Sequence, residues 1–241
     1  DIGDYAAGNT GRVYVFTNAD EVALYKNDRY VTSFRPSGWS GLTHGPVLAD
    51  DTIGCLLNTQ EGFTGAKEKL LHDCLASAGK HGLANMPLGD KLKMYKLTFA
   101  DGVKLYGKYV GNWGGEATRW RFDGIRDGRT VASCTRAPGK HLHIEARVSS
   151  TALTERASYD MAAVRIRLLD EYGNTASYAQ LPVELETGGV IGIAGPHTVT
   201  AEGGMCGTYV RSLGRAGSGT LTLRVQGLES VKIEFTVRTE G

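Results

Sequence analysis

The sequence predicts a mainly β protein of two β-sandwich domains, residues 1–148 and 149–241, with the first interrupted by an α-helical insert at about residues 40–112. Three observations carry this reading. Strand-like alternation rich in β-branched and aromatic residues occupies residues 12–35 and returns at 118–148. Between these stretches the apolar spacing changes to three and four, the period of a helix. Beyond Ser149, short strand patterns recur at even spacing between Gly-rich turns, as in a sandwich.

The elements follow in order. RVYVFTN, residues 12–18, alternates Val13 and Val15 with Tyr14 and Phe16 and reads as a strand, and Asn18-Ala19-Asp20 reads as a turn. EVALYKNDRYVTSF, 21–34, gives two more strands hinged at Asn27-Asp28, so the opening is expected to be a β meander. From about Ala49 to Tyr109, Ile53, Leu56, Leu57, Leu70, Leu71, Cys74, Leu75 and Ala78 fall at helical spacing, enough for three or four helices. Thr64 is placed to cap a helix start and Gly79 and Gly82 to end one. Pro87 suits a first turn, and Thr98 with Asp101 resembles a capping box.

TRWRFDGIRDGRTVASCTRA, from Thr118, reads as strand, Asp127-Gly128 turn and strand, followed by HLHIEARV at 141–148. These are expected to complete the domain that residues 12–35 begin. The second domain is expected to hold AAVRIRLLDEYGN with a Glu171–Asn174 turn, then LPVELET, GVIGIA, TYVRSL, GTLTLRV and SVKIEFTVR.

Composition narrows the function. The 241 residues can bury a real core, and 41% hydrophobic with 22% charged residues fits a globular protein. Twenty-seven Lys and Arg against 26 Asp and Glu give a net charge of +1, so no global field draws the chain to nucleic acid or to an anionic membrane. No apolar run approaches the roughly 18 residues of a membrane span. Cys55, Cys74, Cys134 and Cys206 are far apart and lack metal-ligand spacing, and they are read as free buried thiols. No cofactor is expected. A chain beginning at Asp1, without an initiator Met or a signal peptide, is expected to be a piece of a longer protein, and the thiols point to the bacterial cytoplasm.

VYVFTNADEVALYKNDRYV resembles a stretch of the C-terminal immunoglobulin-like domains of glycoside hydrolase family 2 enzymes, the β-galactosidases and β-glucuronidases. FDGIRDGRTVAS and HLHIEARV are similar to the closing strands of that domain, and VRIRLLDEYGN to the opening of an immunoglobulin-like domain that follows it. IGCLLN, GLANMPL and VKLYGKYVGNWGG resemble a helical excursion in gut-bacterial members. One departure is Asn27-Asp28 where the family has Asn-Gly, which Asp tolerates because it also adopts positive φ.

The resemblance implies two immunoglobulin-like β-sandwiches that support a catalytic (β/α)₈ barrel located elsewhere and themselves carry no catalytic residues. The partners it implies are that barrel, with saccharide and a second copy, through the helical insert, as further candidates. The alternatives are an independent carbohydrate-binding module and a structural or adhesion protein of stacked immunoglobulin-like domains.

Trp39 in SGWSGLTHG and Trp113 in GNWGGEA are the candidate carbohydrate-binding residues, since both lie in Gly-rich loops flanking the insert and an indole face stacks on a pyranose. The competing reading packs both rings at the joint between insert and sandwich. Trp120, inside the TRWRF alternation, reads as core. His141 and His143 share one strand face but lack a visible third metal ligand. Asp50-Asp51 is read as complementing a helix N-terminus. Arg119 and Arg121 are expected on one solvated sheet face, and neither Gly188-Gly189 nor Gly203-Gly204 has the context of a phosphate loop. No GxSxG nucleophile elbow is present.

Overall fold

The computed structural model describes residues 12–38, 41–85, 99–111 and 117–240. The chain forms two compact units, Asp1–Pro138 and Gly139–Gly241. Among the described residues no helix is long and apolar enough to cross a membrane.

In the first unit, β1 (Val13–Val15), β2 (Glu21–Lys26), β3 (Arg29–Phe34) and β4 (Val47–Ala49) precede α1 (Leu56–Glu61), α2 (Gly65–Asn85), α3 (Phe99–Tyr106) and a π-helical turn, Gly107–Gly111. β5 (Trp120–Arg126) and β6 (Arg129–Arg136) follow. Four strands form one sheet in the order β3-β2-β5-β6. β2 runs antiparallel to β5, from Glu21 opposite Ile125 to Lys26 opposite Trp120, so strands before and after the helices close one sheet, as the sequence patterns predict. Both hairpins turn in two residues at positive φ: Asn27 (48°) with Asp28 (63°), and Asp127 (49°) with Gly128 (72°). These are the backbone conditions of a type I′ turn, and Asp28 fills the position that Gly usually takes.

The expected opening meander is corrected by the pairing. β1 leaves the main sheet and pairs with β4, Val13 opposite Ala49 and Val15 opposite Val47. Alternation identifies β1 as a strand but not its partner, and β4 lies where the sequence shows only the approach to the helices.

The helical segment packs on its own sheet. Val22, Leu24, Val31, Trp120 and Phe122 from the sheet share one core with Ile53, Leu56, Leu57, Leu71, Leu75, Leu105 and Tyr109. Each fully buried Leu among them contributes about 2 kcal/mol of transfer free energy, so the helices cover the apolar face that the split strands create. The opposite face is polar. There Asp123 accepts a hydrogen bond from Ser133 Oγ (2.7 Å) and pairs with Arg121 (3.2 Å), whose guanidinium lies 4.1 Å from the Tyr25 ring centre. Arg119 and Arg121 both pair with Asp28, as expected of one sheet face.

Local devices set the helix ends. Gly62 (φ 70°) ends α1 in the left-handed conformation, with its N–H bonded to Asn58 O and the Phe63 N–H to Leu57 O. Gly82, with φ 72° and ψ 155°, interrupts α2, whereas Gly79 stays inside it. Thr64 directly precedes α2, while Pro87 and Thr98 lie outside the described residues.

In the second unit, β7 (Leu142–Val148), β9 (Met161–Asp170), β11 (Ile191–Ile193) and β13 (Met205–Ser212) form one sheet in the order β11-β13-β9-β7. β8 (Ala152–Glu155), β10 (Leu181–Gly189), β12 (Thr198–Ala201), β14 (Gly217–Arg224) and β15 (Val231–Thr239) form the other, β12-β10-β14-β15-β8. Their inward residues make one core, Ile144, Val164, Ile166 and Leu168 with Val183, Leu185, Leu221, Leu223 and Phe235. Asp170 Oδ1 holds the predicted turn by accepting from the N–H groups of Tyr172 (2.9 Å) and Asn174 (2.8 Å).

The division falls ten residues earlier than the sequence suggests. HLHIEARV supplies β7, which pairs with β9, Ile144 opposite Leu168, and so belongs to the second unit. An amphipathic strand fits either sheet by its pattern, and only the pairing decides. Among the described residues the four cysteines form no disulfide, but only Cys74 is fully buried, and Cys134 is exposed on β6.

One glycine fixes the docking of the insert. Gly54 (φ 45°) lies so close to β3 that an added Cβ would stand 2.1 Å from the Val31 carbonyl oxygen, and the next N–H, of Cys55, bonds that oxygen at 2.9 Å. Gly54→Ala is expected to cost about 2 kcal/mol or more in denaturant unfolding; an unchanged midpoint would contradict this docking.

Candidate functional site

A lysine occupies a core position of the split sheet. Period-two alternation along β2 places Lys26 on the face of Val22 and Leu24, directly opposite Trp120. Its ammonium donates to the Tyr109 carbonyl (3.1 Å) and lies 5.3 Å from the Trp120 ring centre. Burial lowers its pKa from 10.5 to about 8.

Tyr109 comes from the π-helical turn. Its hydroxyl donates to Glu61 Oε1 (2.7 Å), and Lys108 Nζ donates to the same oxygen (2.5 Å). The Lys108 hydrogen bond, then that of Tyr109, holds the Glu61 carboxyl below the usual range. Burial, reinforced by Glu61, pushes the Tyr109 phenol well above its ordinary value. Arg29, just past the β2–β3 turn, donates to Gln60 Oε1 (2.5 Å). Between these groups lies a recess of about 260 Å³, walled by Lys26, Arg29, Gln60, Lys108, Tyr109 and Thr118 over Leu56. With Asn27 also in the wall, it offers three cationic side chains and two side-chain amides, a lining suited to a small polar ligand.

The sequence-derived candidates fare differently. Trp39 and Trp113 lie outside the described residues. Trp120 is 6% exposed and belongs to the core, as expected. His141 and His143 are both exposed, and among the described residues no group of three or more His, Cys, Asp or Glu is placed to hold a metal ion.

Asp51 precedes α1, but it stands four residues before the N-cap position, Cys55, and makes no cap hydrogen bond to that helix. It instead accepts from the Ile53 (3.0 Å) and Gly54 (2.8 Å) N–H groups and bonds His72 Nε2 of α2 (3.0 Å). His72 Nδ1 stands 3.7 Å from Asp73. The Asp51 hydrogen bond raises the His72 pKa against its partial burial, and the Asp51 carboxyl is held low by His72 and the two N–H groups against the cost of its own burial.

Sequence reasoning missed the recess, although one signal was present: Lys26 breaks the apolar series of Val22 and Leu24 on the inward face. Glu61 and Tyr109 gave none, because their meeting depends on how α1 and the π-helical turn dock.

No known family profile matches the chain. It is 35% identical over 78 residues to a β-galactosidase of Rhizobium radiobacter, a match spanning 32% of this chain and 56% of that relative. In fold it is similar to a β-glycosidase from Bacteroides vulgatus (TM-score 0.56, 15% identity, 96% of this chain and 23% of that one). It is also similar to a family 2 β-glucuronidase (0.54, 13%, 99% and 20%) and to a glycosyl hydrolase family 2 member from Bacteroides cellulosilyticus (0.51, 14%, 94% and 23%). The chain thus resembles a β-galactosidase in sequence and part of the family 2 β-glycosidases in fold. It spans between 20% and 23% of the length of those three solved enzymes.

Two titrations check these environments. Between about pH 8 and 10.5 the unfolded chain still binds a proton that native Lys26 has released, so native stability should rise with pH relative to a Lys26→Met variant. A difference in Tm that stays flat across that window would mean that Lys26 is not desolvated. The His72–Asp51 pair works in the opposite sense. A raised His72 pKa contributes fully below about pH 6.5 and is lost as pH rises through it, while a lowered Asp51 pKa contributes above about pH 4 and is lost as pH falls. The advantage of wild type over His72→Gln should therefore peak between about pH 4 and 6.5, at about 1 kcal/mol for such a half-exposed pair. Equal stability at pH 5.5 would contradict the pairing.

Proposed function

We propose that this chain is the non-catalytic C-terminal region of a bacterial, cytoplasmic family 2 glycoside hydrolase of the β-galactosidase type. Its two β units would support a catalytic barrel carried by the rest of the enzyme and shape its surroundings. The observation that carries this reading is the pairing of two likenesses: similarity of fold over nearly the whole chain to about a fifth of several β-glycosidases, and 35% identity to a β-galactosidase. The reaction of the whole enzyme would be retaining hydrolysis of a terminal β-glycoside, performed by two glutamates about 5 Å apart in the barrel. Trp39 and Trp113 are the proposed saccharide contacts of this region.

The test has two arms. The isolated chain should leave p-nitrophenyl β-galactoside and β-glucuronide intact, and the genomic frame around it should also encode a (β/α)₈ barrel. Hydrolysis by the isolated chain, or a frame without a barrel, would overturn the reading. For the saccharide role, calorimetric titration with galactose, lactose and glucuronate should show saturable binding that Trp39→Ala and Trp113→Ala abolish. Binding with no barrel in the frame would instead favour an independent carbohydrate-binding module.

A further inference from the structure

We infer that the recess between the β2–β3 turn, α1 and the π-helical turn binds a small ligand through an oxyanion group, a carboxylate, sulfate or phosphate, received by Lys26 and Arg29.

Charge is the first argument. Lys26, Arg29 and Lys108 line the recess without a carboxylate in its wall. The carboxylate of Glu61, which bonds two residues of the wall, already has its Oε1 accepting from both Lys108 and Tyr109. Two of the three wall cations therefore face the space with only neutral acceptors among the described residues, Lys26 with a backbone carbonyl and Arg29 with a side-chain amide.

Donor capacity is the second. An ammonium has three N–H donors and a guanidinium five. Lys26 spends one on Tyr109 O and Arg29 one on Gln60, so each keeps donors for a ligand.

Size and placement are the third. A recess of about 260 Å³ exceeds the roughly 30 Å³ share of one water and approaches the lower end of small-molecule pockets. In its wall stands a lysine held on the core face of a sheet, where an apolar side chain would serve folding better. Desolvation of an unpaired ammonium is unfavourable, and an arriving anion relieves it. Arg29 and Lys108 are the other basic side chains of the wall, while Tyr109, its phenol pushed up, stays protonated and Glu61, held low, stays ionised. Lys26 is thus the group whose titration governs the site, and binding weakens as pH rises past 8.

The test uses the 241-residue chain, titrated with sodium sulfate, sodium phosphate and sodium acetate and followed by amide NMR at Lys26, Asn27, Tyr109 and Thr118, with sodium chloride at matched ionic strength as reference. Saturable shifts confined to these amides are expected from at least one of the three anions. The affinity should fall by about tenfold or more in Lys26→Met and several-fold in Arg29→Gln, since each removes a charge-assisted hydrogen bond. Arg29 is exposed and its replacement leaves the core intact, so this variant decides if Lys26→Met proves unstable. Shifts that chloride reproduces, or an affinity unchanged in Arg29→Gln, would overturn the site. The outcome is independent of the proposed enzyme relationship, because it concerns only this recess.

Discussion

The antiparallel pairing of β2 with β5 is the constraint on which the first unit depends. These strands are separated by the whole helical segment, yet they are tied at both ends. The Asp20 N–H bonds Ile125 O at one end (2.9 Å), and at the other Asn27 and Arg119 exchange two hydrogen bonds, one through the Asn27 side chain, across 92 residues of sequence. Closing so long a loop costs about 3 kcal/mol more than closing a tight turn. The sheet offsets this only because the intervening chain returns to bury its apolar face. Leu56, Leu57, Leu71, Leu75 and Leu105 cover Val22, Leu24, Trp120 and Phe122, so sheet and insert are each other's core. A helical excursion that packed elsewhere would leave that face open to water.

The recess follows from this arrangement. Where the join between strands and helices ends, Lys26 stands opposite Trp120, and the π-helical turn brings the Tyr109 carbonyl to its ammonium. Single π turns often mark functional positions, because the wider i→i+5 geometry frees backbone groups. A half-buried lysine, a phenol bonded to a carboxylate and an arginine at the turn together depart from what packing alone would select. Such departures from local consistency are where function concentrates.

Much of the fold was legible because strand periodicity and turn chemistry are local. The Asn27-Asp28 and Asp127-Gly128 turns announced both hairpins, and the spacing from Ile53 to Ala78 announced the helices. What escaped depended on pairing. HLHIEARV has the pattern of a strand in either unit, and the alternation of residues 12–18 shows that β1 is a strand but not that it pairs with β4, a three-residue strand that only its partner reveals. Asp51 had the composition of a helix start, but its carboxylate bonds a histidine one helix further on. Of the site, only the inward position of Lys26 could be read from the sequence. Glu61, Gln60 and Tyr109 reach the same recess through tertiary docking, which no short-range spacing encodes.

Native-state hydrogen exchange tests most directly the claim that sheet and insert form one cooperative core. The account predicts that the amides of β2, β5, α1 and the first turns of α2 open with a common free energy, close to that of global unfolding of the first unit. Fast exchange throughout α1 and α2 while β2 and β5 stay protected would contradict it, and would make the insert an appendage rather than the second layer of the core.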